Sequence, residues 1–331
     1  MICSIGVLSS KDITKYNKFV DIGGKENQKY MIPNSDVKLA QTSENIFETE
    51  ITKDEIILYT VIADELNQVA VFVSNGEEIY CHHDIFMLNT CIRGNLIKIF
   101  DKEFISVITF ENDVMVFDPF VEYAPYPNCV LIGHKNELTC QQVFNDKLYT
   151  SDSNEIIEWN LEMLKPNIVY NFDTEISNFL LFCDSSSNTN CIIINNDTIL
   201  IFYKMNKTFM EIITVDESIE NAKVYNTKLY VADVIGSIYI IDLNTQTIQL
   251  KKKIHNDVIF QIEIINNKII TISNDKYYKI LDINLNILYS SELDTIPTAF
   301  TIVNFNSNIY MFIGSVNNSI KVYNITNILK Q

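Results

Sequence analysis

The sequence predicts an all-β protein, a single seven-bladed β-propeller built from four-stranded blades. Short β-branched runs ending in a bulky residue recur at Phe72-Val73, Phe117-Asp118, Trp159-Asn160, Phe202-Tyr203, Ile241-Asp242, Leu281-Asp282 and Tyr323-Asn324, and the second members of these pairs stand 39–45 residues apart. Each interval also breaks into four strand-length runs separated by Asn, Asp and Ser turns. No segment sustains the 3.6-residue periodicity of an amphipathic helix, so helices should be few. Four short strands in about forty residues, repeated seven times, is the pattern of a propeller.

In chain order, Ile2 to Leu8 and Gln28 to Ile32 are extended candidates ahead of the first blade, and Glu55 to Ala63 is its expected second strand. Between Asn136 and Asp173 the four runs are Leu-Thr-Cys-Gln-Gln-Val-Phe, Lys-Leu-Tyr-Thr-Ser, Glu-Ile-Ile-Glu-Trp and Ile-Val-Tyr-Asn-Phe, with turns at Asn145-Asp146 and Ser153-Asn154. Later blades repeat the grammar, with turns at Asn195-Asn196-Asp197, Asn226-Thr227, Asn266-Asn267 and Asn317-Asn318. The segment after Asn324 is too short for a fourth strand in the last blade. Residues 1–34 are therefore expected to supply it, the strand from Met1 to about Leu8 pairing with the blade that ends at Asn324. Closing a ring in this way removes exposed sheet edges. The alternative is an N-terminal arm bound elsewhere. On this reading residues 1–331 form one domain, its blades ending near 73, 118, 160, 203, 242, 282 and 324.

Composition narrows the class. The chain carries 42 acidic and 25 basic residues, a net charge of −17, which argues against direct DNA binding because phosphate contacts demand a basic footprint. A hydrophobic share of 47% against 20% charged residues is that of a globular protein, not a disordered one. No apolar run reaches the about 18 residues a membrane span needs. The run from Met1 to Ser10 lacks a basic n-region and is cut by Lys11 and Asp12, unlike a secretory signal. The seven cysteines are scattered without a C-x-x-C pair, so neither a zinc ribbon nor a dithiol redox site is encoded. They read as reduced, mostly buried thiols of a cytoplasmic or nuclear protein.

Two blades carry more specific marks. Gly133-His134 precedes Trp159-Asn160, and His255 precedes Ser273, Asp275 and Leu281-Asp282. These segments resemble WD repeats, the first keeping the Gly-His and Trp marks, the second having Leu where the family places Trp. The resemblance implies a hydrogen-bonded set of His, Ser or Thr, turn Asp and Trp within a blade. Carried over, His255, Ser273 and Asp275 fit in one blade and His134 and Trp159 in the other, where Ser153 stands at the turn-Asp position and Asp152 one place early. The other blades keep only the bulky residue. The resemblance speaks for fold more than for function.

Candidate chemistry is sparse. Cys81-His82-His83-Asp84 has metal-ligand residue types, but consecutive strand residues face opposite sides, so a turn before the next blade is the simpler reading. No Gly-x-Ser-x-Gly elbow and no glycine-rich phosphate cradle is present. Arg93 is the only arginine, which removes clustered-arginine chemistry on acidic sugars. No cofactor and no metal is expected. Two surfaces suit protein partners. Glu122-Tyr123-Ala124-Pro125-Tyr126-Pro127 cannot join a sheet interior, so Tyr123 and Tyr126 either form an exposed interface anchor or fold over the core. From Glu44 to Glu65, seven acids, among them Glu48, Glu50, Asp54 and Asp64, face only Lys53, whereas the chain from Leu250 onward is slightly basic. Such asymmetry either speeds capture of a basic partner or maintains solubility.

The functional expectation is a non-catalytic scaffold, a monomeric subunit of a larger complex. It binds a basic protein or peptide in an assembly such as those of ribosome biogenesis or chromatin. The rival is an enzyme working on a small polar substrate in the propeller's central well.

Overall fold

The computed structural model describes residues 1–8, 56–62, 68–74, 79–86, 91–100, 102–109, 112–119, 127–183, 189–195, 198–204 and 209–330. Blade 1 comprises β1 (Ile2–Leu8), β2 (Ile56–Ile62), β3 (Gln68–Ser74) and β4 (Ile79–Phe86). Blade 2 has β5 (Cys91–Ile99), β6 (Lys102–Thr109), β7 (Asp113–Phe117) and β8 (Cys129–Ile132). Blade 3 has β9 (Cys140–Phe144), β10 (Lys147–Ser151), β11 (Glu155–Asn160) and β12 (Lys165–Asn171). Blade 4 has β13 (Asn178–Cys183), β14 (Thr189–Asn195), β15 (Ile199–Lys204) and β16 (Phe209–Thr214). Blade 5 has β17 (Ile219–Tyr225), β18 (Lys228–Asp233), β19 (Ser237–Asp242) and β20 (Thr247–Lys253). Blade 6 has β21 (Ile259–Ile265), β22 (Lys268–Ser273), β23 (Tyr277–Asp282) and β24 (Ile287–Glu292). Blade 7 has three described strands, β25 (Pro297–Phe305), β26 (Asn308–Ser315) and β27 (Ile320–Asn324), followed by the short helix α1 (Thr326–Lys330). The bulky-residue marks fall within a residue of the ends of the third strands, not at the ends of the blades.

Side-chain alternation builds the ring. Successive strand residues point to opposite faces, so each blade offers one apolar face to each neighbour. In β2, Ile56 and Leu58 pack toward blade 7 while Ile57, Tyr59 and Val61 pack toward blade 2. The pattern repeats around the molecule, giving seven apolar clusters, each shared by two adjacent blades. The fourth strands form the rim, and β20 and β24 are exposed along most of their length.

Asparagine fixes several hairpins between first and second strands. Asn145 and Asp146, and likewise Asn266 and Asn267, all have φ between 50° and 58°, the left-handed pair that a two-residue type I′ turn requires. Asn226 at φ 54° serves the same connection in blade 5.

The N-terminal strand closes the ring differently from expectation. β1 pairs antiparallel with β2 as the innermost strand of blade 1, and it is not hydrogen-bonded to β27. It meets blade 7 through side chains instead. Ile2 is fully buried at this seam in a cluster with Ala299, Tyr310 and Phe312. Gly314 makes the approach possible, since a Cβ there would lie 2.8 Å from Ile2 Cγ2. Helix α1 folds back on β26, its Thr326 hydroxyl accepting the Ile309 N–H at 2.7 Å and Leu329 joining the core between blades 6 and 7. Gln28 to Ile32 lies outside the described residues.

Candidate functional sites: two histidine motifs and the central channel

In blade 6, His255 sits in the loop before β21. Its backbone approaches Gly236 so closely that a Cβ there would lie 2.5 Å from the His255 carbonyl oxygen, and the φ of +95° at that position also demands glycine. His255 Nδ1 lies 3.0 Å from both oxygens of Asp275, and Nε2 lies 2.8 Å from Thr271 Oγ1. Asp275 is held in turn by the N–H groups of Asn256 and Tyr277 at 3.0 Å. Burial pushes the imidazole down to about 4, outweighing the attraction of Asp275, so it is neutral at physiological pH. The hydroxyl partner is thus Thr271 and not Ser273, which lies further along β22 at the turn. There the Ser273 hydroxyl donates to the Asp257 carbonyl and accepts the Asp275 N–H, each at 3.1 Å.

Blade 3 has a related arrangement with one addition. Trp159 is 2% exposed, and its indole N–H donates to Thr150 Oγ1 at 2.7 Å. The same oxygen lies 2.7 Å from His134 Nε2. The turn acid is Asp152 and not the residue at Ser153: Asp152 follows the hydroxyl partner Thr150 by two residues, where Asp275 follows Thr271 by four. Asp152 Oδ1 accepts the N–H groups of Asn154 and Glu155 at 2.9 Å. His134 Nδ1 is 3.5 Å from Asp152 Oδ2 and also 3.5 Å from Glu155 Oε1, a residue the sequence reading passed over. Burial lowers the His134 pKa against the pull of Asp152.

The innermost strands β1, β5, β9, β13, β17, β21 and β25 surround a central channel of about 760 Å³. The inward edge of each is an open sheet edge whose N–H groups need partners. A side chain from the neighbouring blade supplies one at four of the seven junctions. Ser4 Oγ accepts the Gly94 N–H at 3.0 Å, Gln142 Oε1 that of Leu181 at 2.8 Å, Asn221 Oδ1 that of Ile262 at 3.2 Å and Gln261 Oε1 that of Phe300 at 2.9 Å. Each donor is the fourth residue of its strand and each acceptor the third of the strand before. Between blades 2 and 3, Gln141 Nε2 donates to the Arg93 and Ser106 carbonyls at 2.8 and 3.2 Å, and Gln141 Oε1 accepts the Ser106 hydroxyl at 3.0 Å. Among the described residues the channel's charged side chains are Arg93, Lys223 and Glu263, and the last two are paired at 2.8 Å.

The other sequence candidates distribute as follows. Glu48, Glu50, Asp54, Asp64, Tyr123 and Tyr126 lie outside the described residues. His82 and His83 are in β4 and not in a turn. The register slips between Cys81 and His83, leaving His82 as the bulged residue. Of the five cysteines whose side chains are described, Cys140 and Cys191 are buried, Cys3 and Cys129 half-buried and Cys183 exposed, so burial is less general than expected. Among the described residues no helix is long and apolar enough to cross a membrane.

No protein-family model matches the chain, and no curated protein matches it. Solved structures do. The structure of BBS1N in complex with ARL6DN, soaked with lead, aligns with a TM-score of 0.67 at 9% identity, over 82% of this chain and 88% of that one. The mercury-soaked form gives 0.67 and 9%, over 82% and 87%. The WD40 β-propeller domain of Doa1 gives 0.64 at 14% identity, over 80% and 88%. At these identities the likeness is one of fold, a seven-bladed propeller of the WD40 kind.

Proposed function

We propose that this propeller is a non-catalytic scaffold that binds a basic protein or peptide and works as a subunit of a larger assembly. The observation that carries the reading is the commitment of most of the channel's polar side chains. Gln141, Gln142, Asn221, Gln261 and Ser4 are spent on capping backbone groups of neighbouring strands, and Lys223 is spent on Glu263. Catalysis on a small polar substrate needs convergent groups left free for it, so this arrangement weighs against an enzyme in the well. A rigid ring of this kind displays loops at the blade ends. Similar propellers support a protein partner, since BBS1N was solved in complex with ARL6DN.

The partner surface we assign to the acid-rich segment Glu44 to Glu65 and to the Tyr123–Tyr126 segment. With 42 acids against 25 basic residues, long-range attraction favours a cationic partner. Assemblies of the ribosome-biogenesis or chromatin kind, in cytoplasm or nucleus, supply such partners. The test is capture of the native partner by the full chain and by a variant with Glu48, Glu50, Asp54 and Asp64 changed to Ser. The variant should fold as the parent does and lose capture at low salt, because exposed charges act mainly on association rate and its salt dependence. Equal capture across a salt series would remove the acidic segment from the interface.

A further inference from the structure

The blade 3 motif holds a feature that blade 6 lacks. In blade 6 the histidine Nδ1 is closed off by both oxygens of Asp275 at 3.0 Å. In blade 3 the corresponding Nδ1 is buried with no hydrogen-bond partner, and it points between two carboxylates. Its residue is 4% exposed, and the Asp152 and Glu155 side chains are 0% and 12% exposed. Glu155 opens β11, where Tyr277 opens β23 in blade 6.

We propose that His134, Asp152 and Glu155 form a divalent-metal site for Zn²⁺, with His134 Nδ1, Asp152 Oδ2 and Glu155 Oε1 as ligands and the fourth position open to water beside Glu155. The three ligand atoms lie within 4.8 Å of one another. The nitrogen stands 3.5 Å from each oxygen. Two ligands of a tetrahedral zinc, each at about 2.1 Å, stand about 3.4 Å apart. Imidazole nitrogen with carboxylate oxygens is a donor set zinc accepts.

The surroundings prepare the ligands. Thr150 Oγ1 has two lone pairs, enough to accept both the Trp159 N–H and a His134 Nε2–H, and that tautomer leaves Nδ1 with a free lone pair. A ligating histidine that donates through its other nitrogen is the usual outer-shell arrangement. Asp152 is fixed through Oδ1 by the Asn154 and Glu155 N–H groups. Its Oδ2 accepts from the Asn136 side chain at 3.2 Å and backbone at 3.4 Å. Among the described residues no lysine or arginine nitrogen pairs with either carboxylate, although Lys135 acts on Glu155 from further away. The Asp152 and Glu155 carboxylates stand within 4.8 Å of each other, a like-charge repulsion that a dication relieves. Bound metal would staple the loop between β8 and β9 to the β10–β11 turn.

The experiment uses the full chain, stripped with chelator and dialysed. Zn²⁺ is titrated by calorimetry and by Trp159 emission, which reports locally because the indole and His134 ring centroids are 6.2 Å apart. Co²⁺ serves as the spectroscopic probe. The expected result is one Zn²⁺ per chain, a changed Trp159 emission, and a cobalt spectrum of tetrahedral nitrogen and oxygen ligation. Glu155→Gln should weaken binding tenfold or more while its melting temperature shows it folded. Absence of saturable binding, affinity indifferent to Glu155→Gln, or a thiolate-to-cobalt charge-transfer band would each overturn the site. The wild-type cobalt spectrum decides the matter should the variant fail to fold.

Discussion

Shortening Ile2 to Ala tests the seam where the ring closes. Ile2 is 0% exposed and packs on Gly314 with Ala299 and Phe312 around it. Removing its outer carbons from a site walled by Ile56 and Leu58 of β2 on one side and by β25 and β26 on the other should cost about 3 kcal/mol, within the range for buried Ile→Ala changes. Gly314→Ala perturbs the same contact from the opposite blade. Its methyl would meet Ile2 Cγ2, Cδ1 and Cβ at 2.8, 2.9 and 3.0 Å, so overpacking should cost about 1–3 kcal/mol. In the double variant the added methyl enters the space Ile2 has vacated. The combined loss should therefore fall short of the sum by about 1 kcal/mol or more, the mark of two residues in contact. The assay is equilibrium urea unfolding, followed by Trp159 emission and far-ultraviolet circular dichroism. Losses that add to within about 0.5 kcal/mol would refute the contact and with it the placement of β1 against blade 7.

Other consequences are equally direct. Trp159→Ala should cost about 3–5 kcal/mol through the cavity left among Leu131, Leu148 and Ile157, and wild-type emission should be blue-shifted; emission typical of solvated indole would contradict the burial. Stability should fall on acidification from pH 7 to pH 5. His255 titrates near 4 in the fold against 6.5 when free, so the unfolded chain binds the extra proton between those values. Its contribution is complete above about pH 6.5 and is lost as pH drops toward 4, amounting to about 2 kcal/mol by pH 5. His134 is shifted in the same sense, and a melting temperature constant from pH 7 to 5 would contradict the neutral, buried imidazoles. Gln261→Leu removes a cap on the Phe300 N–H and a donor to the Phe300 carbonyl, and should destabilise by about 1–3 kcal/mol; a neutral effect would mean water serves that edge equally well.

The blades were legible because their determinants are local. Apolar alternation, a bulky residue closing each third strand, and Asn-Asn or Asn-Asp pairs at left-handed turns all sit within a few residues of what they specify. The pairing of β1 was not. Its partner β2 lies beyond residues 9–55, and neither strand's sequence states which edge it joins, so a count of strands in the last blade pointed to the wrong neighbour. The histidine motifs were legible to within one or two positions. Thr271 and Ser273 are alternate residues of one strand, and only the loop geometry tells which hydroxyl meets the imidazole. The channel capping was missed although it left a signal, a polar residue at the third position of β1, β9, β17 and β21. One such residue in a strand is unremarkable; only the ring brings each against the next blade's fourth N–H.

The most direct measurement of the scaffold reading is the mass of the particle that contains this chain when it is extracted gently from its own cells at low salt. The account predicts a defined assembly heavier than a single copy of the chain, dissociating as salt is raised. A particle holding this chain alone at low salt, with no partner at any ionic strength, would contradict it.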